Sequence, residues 1–182
     1  MKEIIVDIET LSTKSNACVL TLGAILFDRN DNKKYDLEYL NKNNKTFYIR
    51  IKKESCDNLS LDVSKDTLDW WKRQPKESRY EVFDHPDRID IKDALILLSK
   101  FASGCEVFWS QGAFDYIILE NISKILDINV PWKFWQIRDS RTLFDVCNIN
   151  IKNINSEGLH NALSDCYRQY LGKIEAFKAI KS

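Results

Sequence analysis

The chain has 182 residues, of which 44% are hydrophobic and 30% charged, with 27 basic and 27 acidic residues and a formal net charge of +0. That length suits one domain with a sizeable core. The balanced charge excludes a globally basic surface as the means of holding nucleic acid, so a partner of that kind needs a local groove, bound metal ions and stacking.

Cys18, Cys56, Cys105, Cys147 and Cys166 are scattered and form no C-x-x-C pair. This argues against a zinc site or a disulfide framework and fits a reducing cytosol. MKEIIVDIET enters a charged strand with no signal-peptide apolar region or cleavage site. No apolar stretch approaches the roughly 18 residues of a membrane span. Both absences point to the cytoplasm and to no membrane partner.

In chain order, residues 2–8 read as a strand and residues 17–28 as a longer one, separated by a polar turn from Leu11 to Asn16. RNDNKK reads as a polar turn, and residues 46–52 alternate as a third strand. Three successive strands suggest an antiparallel meander. Ser64 or Asp66 can cap a helix containing Leu68, Trp70 and Trp71 that ends near Pro75. Residues 76–89 read as a polar loop. Ile91, Ala94, Leu95, Leu98 and Phe101 fall at helical spacing after Asp90, with Gly104 as the stop. A strand over 105–109, a Ser-Gln-Gly-Ala turn and a helix over 113–127 follow. A strand over 134–138, a helix over 140–148 and a last helix from about Asn161 to Ile180 complete the order. The pattern suits an α/β fold, a mixed sheet flanked by helices, in one domain over residues 1–182.

Three separated patches carry the chemistry. In the first, Asp7 and Glu9 lie in the apolar run Ile4-Ile5-Val6-Asp7-Ile8-Glu9. Side chains alternate along a strand, so both carboxylates point to one face. Two carboxylates side by side on a buried strand repel unless cations neutralise them or a proton stays on one of them. Hard divalent ions with oxygen ligands solve this, and they bring phosphoryl chemistry. In the second patch, Asp115 sits after a strand and a glycine turn, near a helix start, where the helix dipole alone also favours a carboxylate. In the third, His160 and Asp165 lie five apart. On one continuous helix they would diverge by roughly 140°. They converge only if His160 sits in the loop after Gly158 and Asp165 one turn into the helix. Each patch alone also reads blandly, as a solvated strand end, a helix-start acid and a polar residue before a helix. His85 reads as surface. Together they make the parts of a phosphodiester hydrolase: carboxylates for two ions and a histidine to take a proton from water.

VDIET, QGAFD and HNALSD resemble the three motifs of the DEDD 3′–5′ exonucleases of the ribonuclease H-like superfamily. The H-x-x-x-x-D form of the third resembles the histidine (DEDDh) subgroup, shared with ribonuclease T, oligoribonuclease and the polymerase proofreading subunit. TLDWWKRQ and RDSRTL are similar to the short exoribonuclease-like branch of bacteria and phages. The resemblance implies a ribonuclease H-like mixed five-stranded sheet, with the first three strands antiparallel and the others parallel. It implies two divalent ions, Mg²⁺ or Mn²⁺, on Asp7, Glu9, Asp115 and Asp165, with Asp7 bridging and His160 as general base. It also implies that Thr10 and Leu11 meet the 3′-terminal nucleotide, Leu11 as an apolar wedge, and that Phe114 stacks on a base. Many relatives carry Asn before the second motif's Phe-Asp pair, where this chain has Gln111-Gly112-Ala113.

Trp70 and Trp71 point about 100° apart on a helix, so they cannot share one packing direction. Trp71 pairs with Leu68 in the core, which leaves Trp70 as packing or as a stacking platform. Arg138 and Arg141 read as solvated, with Asp139 or Ser140 capping a helix. The expected activity is a metal-dependent 3′–5′ exonuclease that acts on the 3′ end of single-stranded RNA or DNA and releases nucleoside 5′-monophosphates, in the host cytoplasm if phage-encoded. Homodimer formation is left open. The rivals are a catalytically silent nucleic-acid-binding module on the same fold and a ribonuclease H-type endonuclease.

Overall fold

A computed structural model describes residues 1–31, 33–154 and 160–181. Strands β1 (Glu3–Thr10), β2 (Val19–Phe27), β3 (Thr46–Arg50), β4 (Val107–Ser110) and β5 (Ile137–Asp139) form one sheet in the order β3-β2-β1-β4-β5. The pairs β1–β2 and β2–β3 are antiparallel, and β1–β4 and β4–β5 are parallel. This is the expected mixed five-stranded sheet, with the carboxylate-bearing strand at its centre.

The helices in chain order are α1 (Leu37–Lys42), α2 (Lys53–Asp57), α3 (Lys65–Lys72), α4 (Lys76–Arg79), α5 (Ile91–Phe101), α6 (Phe114–Ile125), α7 (Ser140–Val146) and α8 (Ala162–Lys181). Alternation along β1 sorts its side chains between two cores. Ile4, Val6 and Ile8 pack with Trp71 of α3, Leu95 and Leu98 of α5, and Leu119 and Ile122 of α6. Ile5 packs on the other face with Cys166, Tyr170, Ile174 and Phe177 of α8. β2 is buried along its whole length, as a strand covered on both faces must be.

Several elements differ from the sequence reading. α1 occupies part of the connection between β2 and β3, capped by the Asp36 side chain, which accepts from the Tyr39 N–H at 2.7 Å. α2 is also an added helix. Residues 76–84, read as loop, hold α4 and a π-helical turn over Tyr80–Asp84. α4 is a single polar turn with no buried residue, so it has no apolar face for periodicity to reveal. Phe134–Gln136, read as strand, is a 3₁₀ turn with Phe134 80% and Trp135 61% exposed, and the strand begins only at Ile137. Gly104, at φ +75°, lies two residues past the Ala102 cap of α5. All five cysteines are free thiols. Among the described residues no helix is long and apolar enough to cross a membrane.

α3 is tied to the end of β1. The Trp71 Nε1–H donates to the Thr10 carbonyl at 3.0 Å and the Ser64 N–H to the Leu11 carbonyl at 2.8 Å. Ser64 is the N-cap, its Oγ accepting from the Thr67 N–H at 3.1 Å. Ser64→Ala is expected to cost about 1 kcal/mol, seen as a lower urea midpoint with an unchanged slope. An unchanged midpoint would show that the docking bonds alone hold α3.

Candidate active site

On β1, Asp7 and Glu9 face α8, and one oxygen from each lies within 4.8 Å of the other and of an oxygen of Asp165. A register irregularity between Glu9 and Thr10 ends the regular pairing with β2 just past the second carboxylate. Bulges of this kind recur beside active sites because they re-aim the chain.

Two features bring Asp165 to the sheet. Gly23 is the β2 partner of Asp7, and a Cβ there would lie 2.5 Å from the Ala162 carbonyl carbon and 2.6 Å from the Leu163 nitrogen. The first turn of α8 therefore rests directly on bare backbone beside Asp7. Asn161 then fixes that turn. Its Oδ1 accepts from the Leu163 and Ser164 N–H groups at 3.0 and 3.1 Å, and its Nδ2 donates to the Tyr48 hydroxyl on β3 at 3.1 Å. Asp165 is thus one turn into α8. His160 precedes it in a turn at φ +58°, a left-handed value uncommon outside glycine. Gly158, in the loop expected to carry the histidine, lies outside the described residues.

Asp115 enters from the β4 side. β4 pairs with β1 only as far as Ile5, and farther along β1 the Ile8 N–H donates to Asp115 Oδ1 at 3.0 Å. The turn before α6 is held by Asp139, which accepts from the Gly112 N–H at 2.8 Å and also caps α7 by accepting from the Arg141 N–H at 2.9 Å. Gly112 has φ +91°, where a side chain would be strained. Asp115 does not join the three-carboxylate group, but its charge acts on both Asp7 and Glu9.

Burial, then the charges of Asp115, Glu9 and Asp165, pushes the Asp7 carboxyl well above its ordinary 3.8. Burial, then Asp165 and Asp115, pushes Glu9 up to about 8. Burial raises Asp115 to about 7 against the pull of the Ile8 N–H. Asp165 is raised by burial and lowered by Arg168, with which it forms an ion pair. Arg168 brings a counter-charge into the cluster, while its own Nε is buried without a hydrogen-bond partner among the described residues. Burial lowers His160 from 6.5 and Asp165 opposes this, so a neutral imidazole is favoured. Three converging hard oxygens whose mutual repulsion and burial disfavour their charge are a donor set that fits a divalent cation.

Beside Glu9 lies a pocket of about 600 Å³, lined by Thr10, Lys14, Ser64, Trp70, Trp71 and Phe114 among others. Trp70 meets His160 edge-on, ring centroids 4.6 Å apart, while Trp71 is buried. Phe114 is 36% exposed. The Thr10 hydroxyl donates to the Ser12 carbonyl at 2.8 Å. Leu11 is fully buried in the core and does not line the pocket, so its expected role as a wedge is not carried forward. Arg138 donates to the carbonyls of Trp135 and Ile137 at 2.6 and 2.8 Å, and Arg141 is exposed. The sequence reading missed Gly23, Asn161 and Arg168. Of these only Asn161, a capping residue just before an apolar helix start, carried a local signal.

Residues 2–172 match the family described as the Rv2179c-like 3′–5′ exoribonuclease domain. The chain belongs to that family. It is 24% identical over 200 residues to an exodeoxyribonuclease of Enterobacteria phage T4, which covers 94% of this chain and 87% of that protein. Two solved structures share its fold. E. coli Exonuclease I in complex with a 5cy-dA13 oligonucleotide aligns at TM-score 0.61 and 13% identity, over 95% of this chain and 40% of that one. The nuclease domain of 3′hExo, a DEDDh family member, bound to rAMP, aligns at TM-score 0.57 and 13% identity, over 99% of this chain and 92% of that one. The protein is therefore a 3′–5′ exonuclease on a ribonuclease H-like fold.

The raised carboxyls give a signed expectation. Their folded-state values lie above the ordinary 3.8 to 4.5, so in chelator their stabilising contribution is full below about pH 4 and is lost as pH rises towards 8. A divalent ion binds only the deprotonated set. The gain in melting temperature on adding Mn²⁺ is thus expected to be larger at pH 8 than at pH 5.5, and an equal gain at both would contradict the protonated cluster. Gly23→Ala is expected to push the first turn of α8 off the sheet and remove most of that gain, since the clash is with backbone. A variant that keeps the full gain would show that α8 shifts without disturbing the carboxylates.

Proposed function

We propose that the chain is one exonuclease domain that removes nucleotides from the 3′ end of single-stranded nucleic acid and releases nucleoside 5′-monophosphates. The observation that carries this reading is the convergence of Asp7, Glu9 and Asp165 beside a pocket whose walls include Trp70 and Phe114. That Exonuclease I was solved with an oligonucleotide and 3′hExo with rAMP supports a nucleic-acid ligand for this fold.

Asp7, Glu9 and Asp165 would hold a divalent ion, Mg²⁺ or Mn²⁺, and Asp115 would serve a second. Such ions make water a better nucleophile at neutral pH and neutralise charge gathering on the phosphoryl oxygens. His160 accepts a proton from the attacking water at a ring nitrogen. The water oxygen bonds to the terminal phosphorus, the bond to the 3′ oxygen of the preceding nucleotide breaks, that oxygen takes a proton from solvent water to leave as a hydroxyl, and the His160 imidazolium returns its proton to solvent. Trp70 and Phe114 present ring faces and edges to the terminal bases, and stacking of this kind is worth about 1–3 kcal/mol per base. Thr10 and Lys14 offer polar groups along the same pocket.

Matched 5′-labelled RNA and DNA strands, incubated with Mg²⁺, Mn²⁺ or chelator, test this. A ladder that shortens from the 3′ end only when metal is present, absent in Asp7→Ala, is the expected result. His160→Ala is expected to lower kcat by about 10²–10⁴-fold, the range for a lost general base. Full activity in Asp7→Ala would overturn the role given to the cluster.

A further inference from the structure

α8 turns two polar side chains towards the sheet, Gln169 and Lys173, and both are fully buried. Ser140, the first residue of α7, is also fully buried and lies between them. The Lys173 Nζ donates to Ser140 Oγ at 2.6 Å. Ser140 Oγ donates to Gln169 Oε1 at 2.9 Å. Gln169 Nε2 donates to Asp7 Oδ1 at 3.3 Å. A continuous hydrogen-bonded chain thus runs from a buried lysine to the central carboxylate of the site.

The direction of each bond follows from the chemistry of the first donor. The lysine nitrogen carries hydrogens whether charged or neutral, and it donates them to the serine oxygen facing it. The single hydroxyl proton is then free for Gln169 Oε1. That bond fixes which way the amide faces, and the Nε2 side is the one left for Asp7. Without the Ser140 proton the amide could turn and set an oxygen against a carboxylate oxygen. The lysine itself is held by more than Ser140. Its Nζ lies 3.9 Å from the Trp109 ring centroid and 5.1 Å from that of Phe144. Burial pushes its ammonium well below the ordinary 10.5, against Glu3 and Asp139, which favour the charge. Trp109 is fixed in turn, its Nε1–H donating to the buried Glu3 at 2.6 Å.

Nothing in packing alone calls for this arrangement. Apolar side chains of similar volume at these positions would avoid the desolvation that buried polar groups incur. We propose that Lys173, Ser140 and Gln169 form a buried relay that orients Asp7 for cation binding, with Gln169 the positioning residue that touches it. The relay rests on the metal-binding reading above. It binds one lone pair of Asp7 Oδ1, restricts the carboxylate's rotation and leaves the remaining lone pairs towards Glu9 and Asp165. Outer-sphere partners of this kind typically change metal affinity by about 10–100-fold.

The test is Mn²⁺ titration by calorimetry of the full chain, as wild type, Gln169→Met, Ser140→Ala, Lys173→Met and the Gln169→Met/Ser140→Ala double variant. Thermal denaturation in chelator accompanies each titration to establish that the variant is folded. Gln169→Met is expected to weaken the tighter Mn²⁺ step by about 10–100-fold. Ser140→Ala and Lys173→Met are expected to weaken it in the same direction by less. In the Gln169→Met background, Ser140→Ala is expected to add nothing, because its effect passes through the amide. A merely structural role predicts lower melting temperatures with wild-type Mn²⁺ affinity, and that result would overturn the relay. Additive losses in the double variant would overturn it as well. If Gln169→Met does not fold, Ser140→Ala decides alone: wild-type affinity there overturns the proposal, and weakened affinity supports it. A wild type that binds no Mn²⁺ would overturn the relay and the metal reading together, whereas Mn²⁺ binding that is strong in the wild type and unchanged in the variants overturns the relay alone.

Discussion

The site depends on how closely the first turn of α8 approaches the sheet. Asp7 and Glu9 are placed by strand alternation alone, but Asp165 comes from a helix more than 150 residues later in the chain. It reaches them because β2 presents Gly23 where a side chain would otherwise hold the helix away, a missing Cβ that would meet Ala162 and Leu163 backbone within 2.7 Å. Close helix–sheet contact over a glycine leaves little room for water. The carboxylates are consequently desolvated, and that is the first cause of each raised value. The geometry that brings the ligands together also makes the uncomplexed site electrostatically unfavourable.

The surrounding architecture supports that arrangement from several directions. The Asn161 cap ties the start of α8 to Tyr48 on β3. Asp139 serves both the Gly112 turn and the cap of α7, which sets Asp115 and Ser140 from one carboxylate. The Trp71 bond to the Thr10 carbonyl holds α3 against the end of β1 and forms one wall of the pocket. Polar groups inside the α8-facing core, Glu3, Gln169 and Lys173, are each hydrogen-bonded, so the cost of burying them is largely offset.

Much of the sheet was legible because its strands follow strong patterns. The apolar runs of β1 and β2 and the alternation of β3 announce themselves in hydrophobicity, and the periodic apolar residues of α5 do the same at helical spacing. α1, α2 and α4 were not legible, since helices of four to six residues are shorter than the window in which periodicity can be read. Phe134 and Trp135 misled because aromatic residues favour strands, yet here they face solvent in a turn. The acidic residues of the site were readable as motifs, and spacing gave the condition for His160 and Asp165 to converge, with Asp165 one turn into its helix. Gly23 and Arg168 were not readable, because their roles come from tertiary contacts that leave no local pattern. Leu11, placed by motif position, is buried in the core.

The most direct measurement is a crystal structure of the protein with Mn²⁺, with the ion located by anomalous scattering. The expected result is a peak bounded by oxygens of Asp7, Glu9 and Asp165, with the Gln169 amide still on Asp7. A Mn²⁺ peak elsewhere on the chain, or none at this cluster under conditions where the protein shortens a labelled strand, would contradict it.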